Sequence, residues 1–320
     1  MGRSGRRQAI RWAVGLAVAA LSIVLLAHGL DWAALRAALV QAQYGRVLAG
    51  VLLVIASFFA RTWRWRALLG RPAGRTLTLM GALLTGQALN SLLPMRGGDV
   101  VRAAWASDRA RIGLGEALAS IAAEKASDLL ALLGFTLALF LVAPLPQWLL
   151  RSAGQAVLWL ALGTGLVGAA LCLGASLARG GEQFLARLPA GWERRVGAPL
   201  RQAAQGLRRL AQPRRLAAVL LWTLATWGIG AAVNLALLAA FGIYSPAAAL
   251  FLLVALMLGN AAPVPAGLGL FEGICVLSLA LFGVPRDRAL AVGLVLHAVV
   301  LGPPLVGAAL LAVGSALKNA

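Results

Sequence analysis

The sequence predicts an all-α, polytopic integral membrane protein with about six full crossings and two broken, re-entrant segments in inverted halves. Three observations carry this: a very apolar composition, several long apolar runs, and basic residues concentrated on alternate sides of those runs. Of the 320 residues, 61% are hydrophobic and 12% charged, with a mean hydropathy of +0.86. A soluble domain carries roughly twice that charged share. Apolar runs of about 18 residues or more can span a bilayer core, whereas barrel strands are short and alternate apolar with polar residues. In lipid each helix satisfies its own backbone hydrogen bonds, which leaves helices as the spanning elements.

The full crossings are expected at 12–30, 45–60, 117–143, 154–178, 216–241 and 289–314. The first follows the basic stretch Arg3 to Arg11 and resembles a signal peptide, with Arg6-Arg7 hinting at a twin-arginine signal. Further spans follow it, which favours an uncleaved signal anchor. The second crossing is short and is expected to continue helically to Trp65 near the interface. Trp32, Trp63, Trp65, Trp148 and Trp222 all fall near segment ends, where interfacial aromatics belong. The fourth contains Gly163-Thr-Gly165-Leu-Val-Gly168, which matches a dinucleotide-binding pattern but has no preceding strand, so small residues for close helix approach account for it better.

Between the fourth and fifth crossings lies the basic segment 179–215, with Arg194, Arg201 and Arg208 at seven-residue spacing. It reads as a solvated charge face, or as an amphipathic helix on anionic headgroups that Pro199 starts and Pro213 stops. With a cytoplasmic N-terminus, most of the 29 Lys and Arg residues fall inside, while Arg36, Arg46, Arg151, Arg286 and Arg288 fall outside. The inside set includes the five arginines of 61–75. This charge pattern, rather than nucleic-acid binding, accounts for the net charge of +19. Cys172 and Cys275 lie in apolar stretches as packing residues, and His28 and His297 stand alone, as satisfied packing or interfacial residues. No metal or other cofactor is expected.

The two remaining apolar stretches are interrupted. The first reads Asn90-Ser-Leu-Leu-Pro94-Met-Arg96-Gly97-Gly98-Asp99-Val-Val-Arg102. The second reads Asn260-Ala-Ala-Pro263-Val-Pro265-Ala-Gly267-Leu-Gly269-Leu-Phe271-Glu272. Pro removes a backbone donor and Gly permits non-helical dihedrals, so neither run should continue as a straight helix. Unwound backbone at membrane depth is tolerated where it is buried in protein or lines a wet cavity. If 76–111 dips in from the cytoplasm and 246–288 from outside, each half (about 1–150 and 151–320) holds three crossings and one re-entrant element. The second half is then inverted, as in many secondary transporters. Two ordinary kinked helices joined by loops are the plainer alternative.

Ionisable residues within the third crossing point the same way. Glu124 and Asp128 are four apart and share a helix face, with Lys125 three residues before Asp128. Lys125 can neutralise these neighbours as a structural ion pair; otherwise the cluster binds a headgroup or relays protons. Arg96 and Arg102 flank Asp99 at the mouth of the first break, and a guanidinium fork suits phosphate. A helix beginning near Gly98 would add free backbone N–H groups.

Asn90, Pro94, Gly97-Gly98-Asp99 and Arg102, then Glu124-Lys125 and Asp128, then Pro265, Gly267, Gly269 and Phe271-Glu272 together resemble the signature of the flippase-like family. This is the transmembrane region of lysylphosphatidylglycerol synthases, which also occurs as stand-alone proteins of about this length. The resemblance spans nearly the whole chain. Three departures keep charge or small size: Gly98-Asp99 replaces Gly-Glu, Lys125 stands where Arg is more usual, and Ala266 replaces a frequent Gly.

The resemblance implies lipid translocation, or support for synthesis or export of a lipid-linked product, at the bacterial cytoplasmic membrane with both termini cytoplasmic. The chain ends a few residues beyond its last span, so no aminoacyltransferase domain and no synthase activity are expected. A substrate site is expected from Asn90, Pro94, Arg96, Gly98, Asp99, Arg102, Glu124, Lys125, Asp128, Asn260, Pro265, Gly267, Gly269 and Glu272. Arg96 and Arg102 would hold the phosphate of an anionic lipid, while Glu124, Asp128 and Glu272 would bind a cationic part or carry protons. An intramembrane lipid-modifying transferase and a non-transporting accessory protein of lipid, hopanoid or exopolysaccharide synthesis are the alternatives. The sequence is also compatible with a homo-oligomer.

Overall fold

A computed structural model describes residues 17–70, 75–92, 97–110, 112–142, 157–166, 212–259 and 264–319, with the short pieces 147, 154–155, 168–169, 202 and 205–206. All regular structure among the described residues is helical. The helices are α1 (Ala17–Ala27), α2 (Trp32–Gln41), α3 (Tyr44–Leu69), α4 (Thr76–Leu92), α5 (Gly98–Ala110) and α6 (Leu114–Val142). There follow α7 (Val157–Leu166), α8 (Pro213–Ala240), α9 (Pro246–Gly259), α10 (Leu270–Ala280) and α11 (Arg286–Asn319).

Four helices are long and apolar enough to cross a membrane: α3, α6, α8 and the Arg286–Gly314 part of α11. They match the second, third, fifth and sixth expected crossings. The first, expected over 12–30, is helical over α1, which meets α2 beyond it at 93°; this bent pair counts as a fifth span only if taken as one. Its bend has a local cause: the Asp31 side chain accepts the N–H groups of Ala33 and Ala34 and so starts α2 as a new helix. The fourth crossing is helical over α7, while 170–178 lie outside the described residues. So does most of the basic segment 179–215, where the amphipathic helix was expected. Pro213 occupies the first position of α8, where its missing N–H costs nothing.

The surface of α3 supports a lipid setting. Leu48, Leu52, Ile55 and Phe59 recur at helical spacing and are all exposed. Such a stripe is stable facing acyl chains and unfavourable in water. The protein is a multi-pass membrane protein.

Packing divides the chain into two compact units. One is drawn from Met1–Ala56, Leu84–Gly98 and Gly228–Ala320, the other from Ser57–Leu83 and Asp99–Trp227. Each of the expected half-repeats contributes to both. The first unit buries Leu238, Leu279, Ala289, Ala291 and Val292 around the contacts of α10 with α9 and α11. The second buries Trp65, Leu69, Leu79, Ala103, Ala106, Ile112 and Ala117, where α3, α4, α5 and α6 meet. Alanines at these contacts let helix backbones approach closely.

Candidate functional site

In the second unit Arg64, Arg102, Glu124 and Asp128 form one largely buried network. Arg102 of α5 grips Glu124 of α6, with Nη2 2.7 Å from Oε2 and Nη1 3.4 Å from Oε1. Arg64 of α3 reaches the same carboxylate, Nη2 lying 3.2 Å from Oε1. Its other terminal nitrogen, Nη1, lies 2.6 Å from Asp128 Oδ1, which also accepts the Trp227 indole N–H at 2.9 Å. Lys125 turns instead toward α5 and pairs with Asp99 at 3.2 Å. Arg64 and Arg102 are only 1% and 4% exposed.

The helical spacing explains this arrangement. Glu124 and Asp128 are one turn apart on α6 and face α3, so one guanidinium can bridge both carboxylates. Trp65, adjacent to Arg64, forms the wall. Its indole donates to Ser120 Oγ at 2.9 Å, and the Arg102 guanidinium lies 4.5 Å from its ring centroid. This corrects the interfacial placement of Trp65, which is fully buried. Helix α3 continues past Trp65, where it was expected to reach, to Leu69, and Arg64, counted with the basic residues of 61–75 on the cytoplasmic side, is buried in the core.

Among the described residues of this cluster the cations exceed the anions by one. Glu124, Asp128 and Asp99 are matched by Arg64, Arg102 and Lys125. Arg61, one turn before Arg64 on α3, makes no carboxylate pair among the described residues. It lies over the rings of Phe58 and Trp227, 5.8 Å and 6.0 Å from their centroids. The Nε atoms of Arg61, Arg64 and Arg102 are all buried without a hydrogen-bond partner. Buried donors of this kind are costly unless something accepts from them.

The first unit contains the second break. The chain leaves α9, passes through a short 3₁₀ turn at Pro265–Gly267 and enters α10. Ala266, Gly267 and Gly269 have φ of +52°, +67° and +76°, so the break is built from left-handed backbone that glycine favours. Glu272, in the first turn of α10, reaches back so that Oε2 accepts the Gly269 N–H at 2.8 Å. His297 of α11 closes the loop from the other side. Its Nδ1 lies 2.6 Å from Glu272 Oε1 and its Nε2 2.9 Å from the Ala266 carbonyl oxygen. Phe271 stacks on the imidazole at 4.3 Å.

The expected site residues therefore sort into two groups. Asp99, Arg102, Glu124, Lys125 and Asp128 converge in the second unit. Asn90, Gly98, Pro265, Gly267, Gly269 and Glu272 belong to the first unit, while Pro94, Arg96 and Asn260 lie outside the described residues. Helix α5 begins at Gly98, as anticipated. A Cβ there would collide with the Gly86 carbonyl and come within 2.8 Å of the Asn90 nitrogen, so this glycine allows close packing against α4. Lys125 does not neutralise Asp128 on its own helix; Arg64 does. Arg102, assigned to phosphate, already holds Glu124.

Arg61, Arg64 and His297 were not among the expected site residues; His297, read as a satisfied packing or interfacial histidine, is buried with both ring nitrogens partnered. One available signal was that each is ionisable within a run long enough to span, where such residues are costly and usually serve a site. Among the described residues no group of three or more His, Cys, Asp or Glu could hold a metal ion.

The chain matches the family described as the lysylphosphatidylglycerol synthase TM region over residues 12–308, and it belongs to that family. No curated protein and no solved structure matches it.

Proposed function

We propose that this member of the lysylphosphatidylglycerol synthase TM region family translocates an anionic phospholipid, or a lipid-linked anionic intermediate, across the bacterial cytoplasmic membrane. Both termini would be cytoplasmic. The observation that supports this reading is the surplus cation of the second unit. Arg61 is held by aromatic rings beside a network whose other charges are matched. A phosphate diester reaching this cluster would supply the missing negative charge and accept from the unpartnered Nε donors. We read the protein as a transporter rather than an enzyme. Glu124 has both oxygens engaged by guanidinium groups and is poorly placed to act as a general base.

The test is translocation of a fluorescent phosphatidylglycerol in proteoliposomes, with a zwitterionic phosphatidylcholine probe alongside. Arg61→Met should lower the phosphatidylglycerol rate at least about tenfold, the loss expected for one charge-assisted phosphate contact, in protein that remains folded. An unchanged rate would overturn the assignment. Arg102→Ala is less decisive, because it also strands Glu124 without one of its cations.

A further inference from the structure

We propose that Glu272 and His297 together form a proton-binding site that latches the broken segment between α9 and α10. The argument is hydrogen-bond stoichiometry. The Ala266 carbonyl oxygen can only accept, so the contact at 2.9 Å requires a proton on His297 Nε2. The 2.6 Å contact between Nδ1 and Glu272 Oε1 requires another proton between them, because two facing lone pairs would repel. Whether that second proton sits on nitrogen or oxygen, the pair holds one more than an ionised carboxylate and a neutral imidazole carry. The face-on stacking of Phe271 favours the imidazolium form.

The surroundings isolate this proton. Both side chains are buried, His297 at 6% exposure. On α10 the other titratable group facing the pair is the Cys275 thiol, packed with Glu272 against Gly293. Helix α1, which meets Gly269 through Ala19, Ser22 and Ile23, has no titratable residue, and neither does α9. On α11 the nearest charges, Arg286, Asp287 and Arg288, lie at its first turn. Arg286 donates to the carbonyls of Leu25 and Leu26, Arg288 to that of Phe241, and Asp287 accepts from the Asp31 backbone.

Loss of the proton has a defined consequence. Released to water, it leaves the carboxylate ionised and the ring neutral. The remaining ring proton then stays at Nδ1, facing the carboxylate, and Nε2 is left as a lone pair against the Ala266 carbonyl. That repulsion falls on a non-glycine residue already held at φ +52°. The loop would lose its tie to α11 and become free to rearrange. Buried proton sites beside interrupted helices are how secondary transporters can couple movement to a proton gradient. The inference does not depend on which lipid the second unit binds.

The full chain has two histidines, so His28→Gln leaves His297 as the sole imidazole. Ring ¹⁵N resonances of that variant in nanodiscs, followed from about pH 5 to about pH 9, should show Nε2 protonated at the acid end and bare at the alkaline end. Amide exchange across 264–273, corrected for intrinsic rate, should quicken at least about tenfold through the same step. Glu272→Gln, whose amide can donate to Nδ1 without titrating, should keep Nε2 protonated and the loop protected throughout. Nε2 protonation that is constant over the range, or pH-dependent exchange that survives Glu272→Gln, would overturn the proposal.

Discussion

Arg64 Nη1 lies 2.6 Å from Asp128 Oδ1, joining α3 to α6 across 64 residues of sequence. The same guanidinium reaches Glu124 one turn away, so a single side chain neutralises part of two carboxylates, Glu124 buried and Asp128 part-buried. Removing one partner of a buried pair leaves the other charged and desolvated, which costs about 3–5 kcal/mol. Arg64→Ala should therefore lower the unfolding temperature in detergent by a wide margin. Arg64→Lys should recover part of the loss, since one ammonium cannot reproduce the two-pronged geometry. Equal stability of Arg64→Ala and the parent protein would mean that the bridge is not formed.

What could be read along the chain was local. The spacing of Glu124 and Asp128 places them on one face of α6, and Pro and Gly at 263–269 announce a break. Arg64 was hidden because Arg61, Arg64 and Arg66 look like the basic flank that normally ends a cytoplasmic span. Deciding that α3 runs on to Leu69 requires knowing that Glu124 and Asp128 lie opposite. His297 was hidden for the same reason: its partners Glu272 and Ala266 are 25 and 31 residues away. Periodicity gives the face of a helix but not what that face meets.

The Ala266 position explains a sequence oddity, because the residue standing where the family often has Gly adopts φ +52°. The left-handed conformation costs a non-glycine residue about 1–2 kcal/mol, while glycine costs about 0.4–1 kcal/mol through greater freedom of the unfolded chain. The first effect is larger, so Ala266→Gly should stabilise the protein by somewhat less than about 1 kcal/mol. Ala266→Val should destabilise it, because β-branching makes positive φ worse. Thermal unfolding of the two variants in one detergent provides the check, and destabilisation by Ala266→Gly would contradict the assigned backbone.

Gly267 and Gly269 share positive φ but differ in their surroundings. A Cβ on Gly267 would find Phe271 Cβ at 3.8 Å, an ordinary contact. On Gly269 it would meet Ser22 Cβ at 2.7 Å and the Ala19 carbonyl oxygen at 3.0 Å. Gly267→Ala should thus cost only the backbone strain of about 1–2 kcal/mol. Gly269→Ala should cost more, because α1 must also move away. Comparable losses in the two variants, measured by unfolding and by proteolysis of the break, would argue against the packing of α1 on this turn.

Arg61 allows stability and ligand binding to be separated. Arg64 and Arg102 are paired with carboxylates, so removing either damages the fold as well as any lipid site. Arg61 has no such partner among the described residues and shares its surroundings with those two cations. Replacing it by Met keeps an apolar stem against Phe58 and Trp227 while relieving like-charge repulsion. Arg61→Met should therefore leave the unfolding temperature unchanged or slightly higher when no anionic lipid is present. Anything that binds only the folded state raises its stability, by about 2.7 kcal/mol at one hundred times its dissociation constant. Added phosphatidylglycerol should raise the unfolding temperature of the parent protein and do so much less for Arg61→Met. If Arg61→Met instead unfolds as readily as Arg64→Ala, Arg61 is part of the structural network and the surplus charge does not exist. If it keeps the full lipid-induced rise, the anion is bound elsewhere.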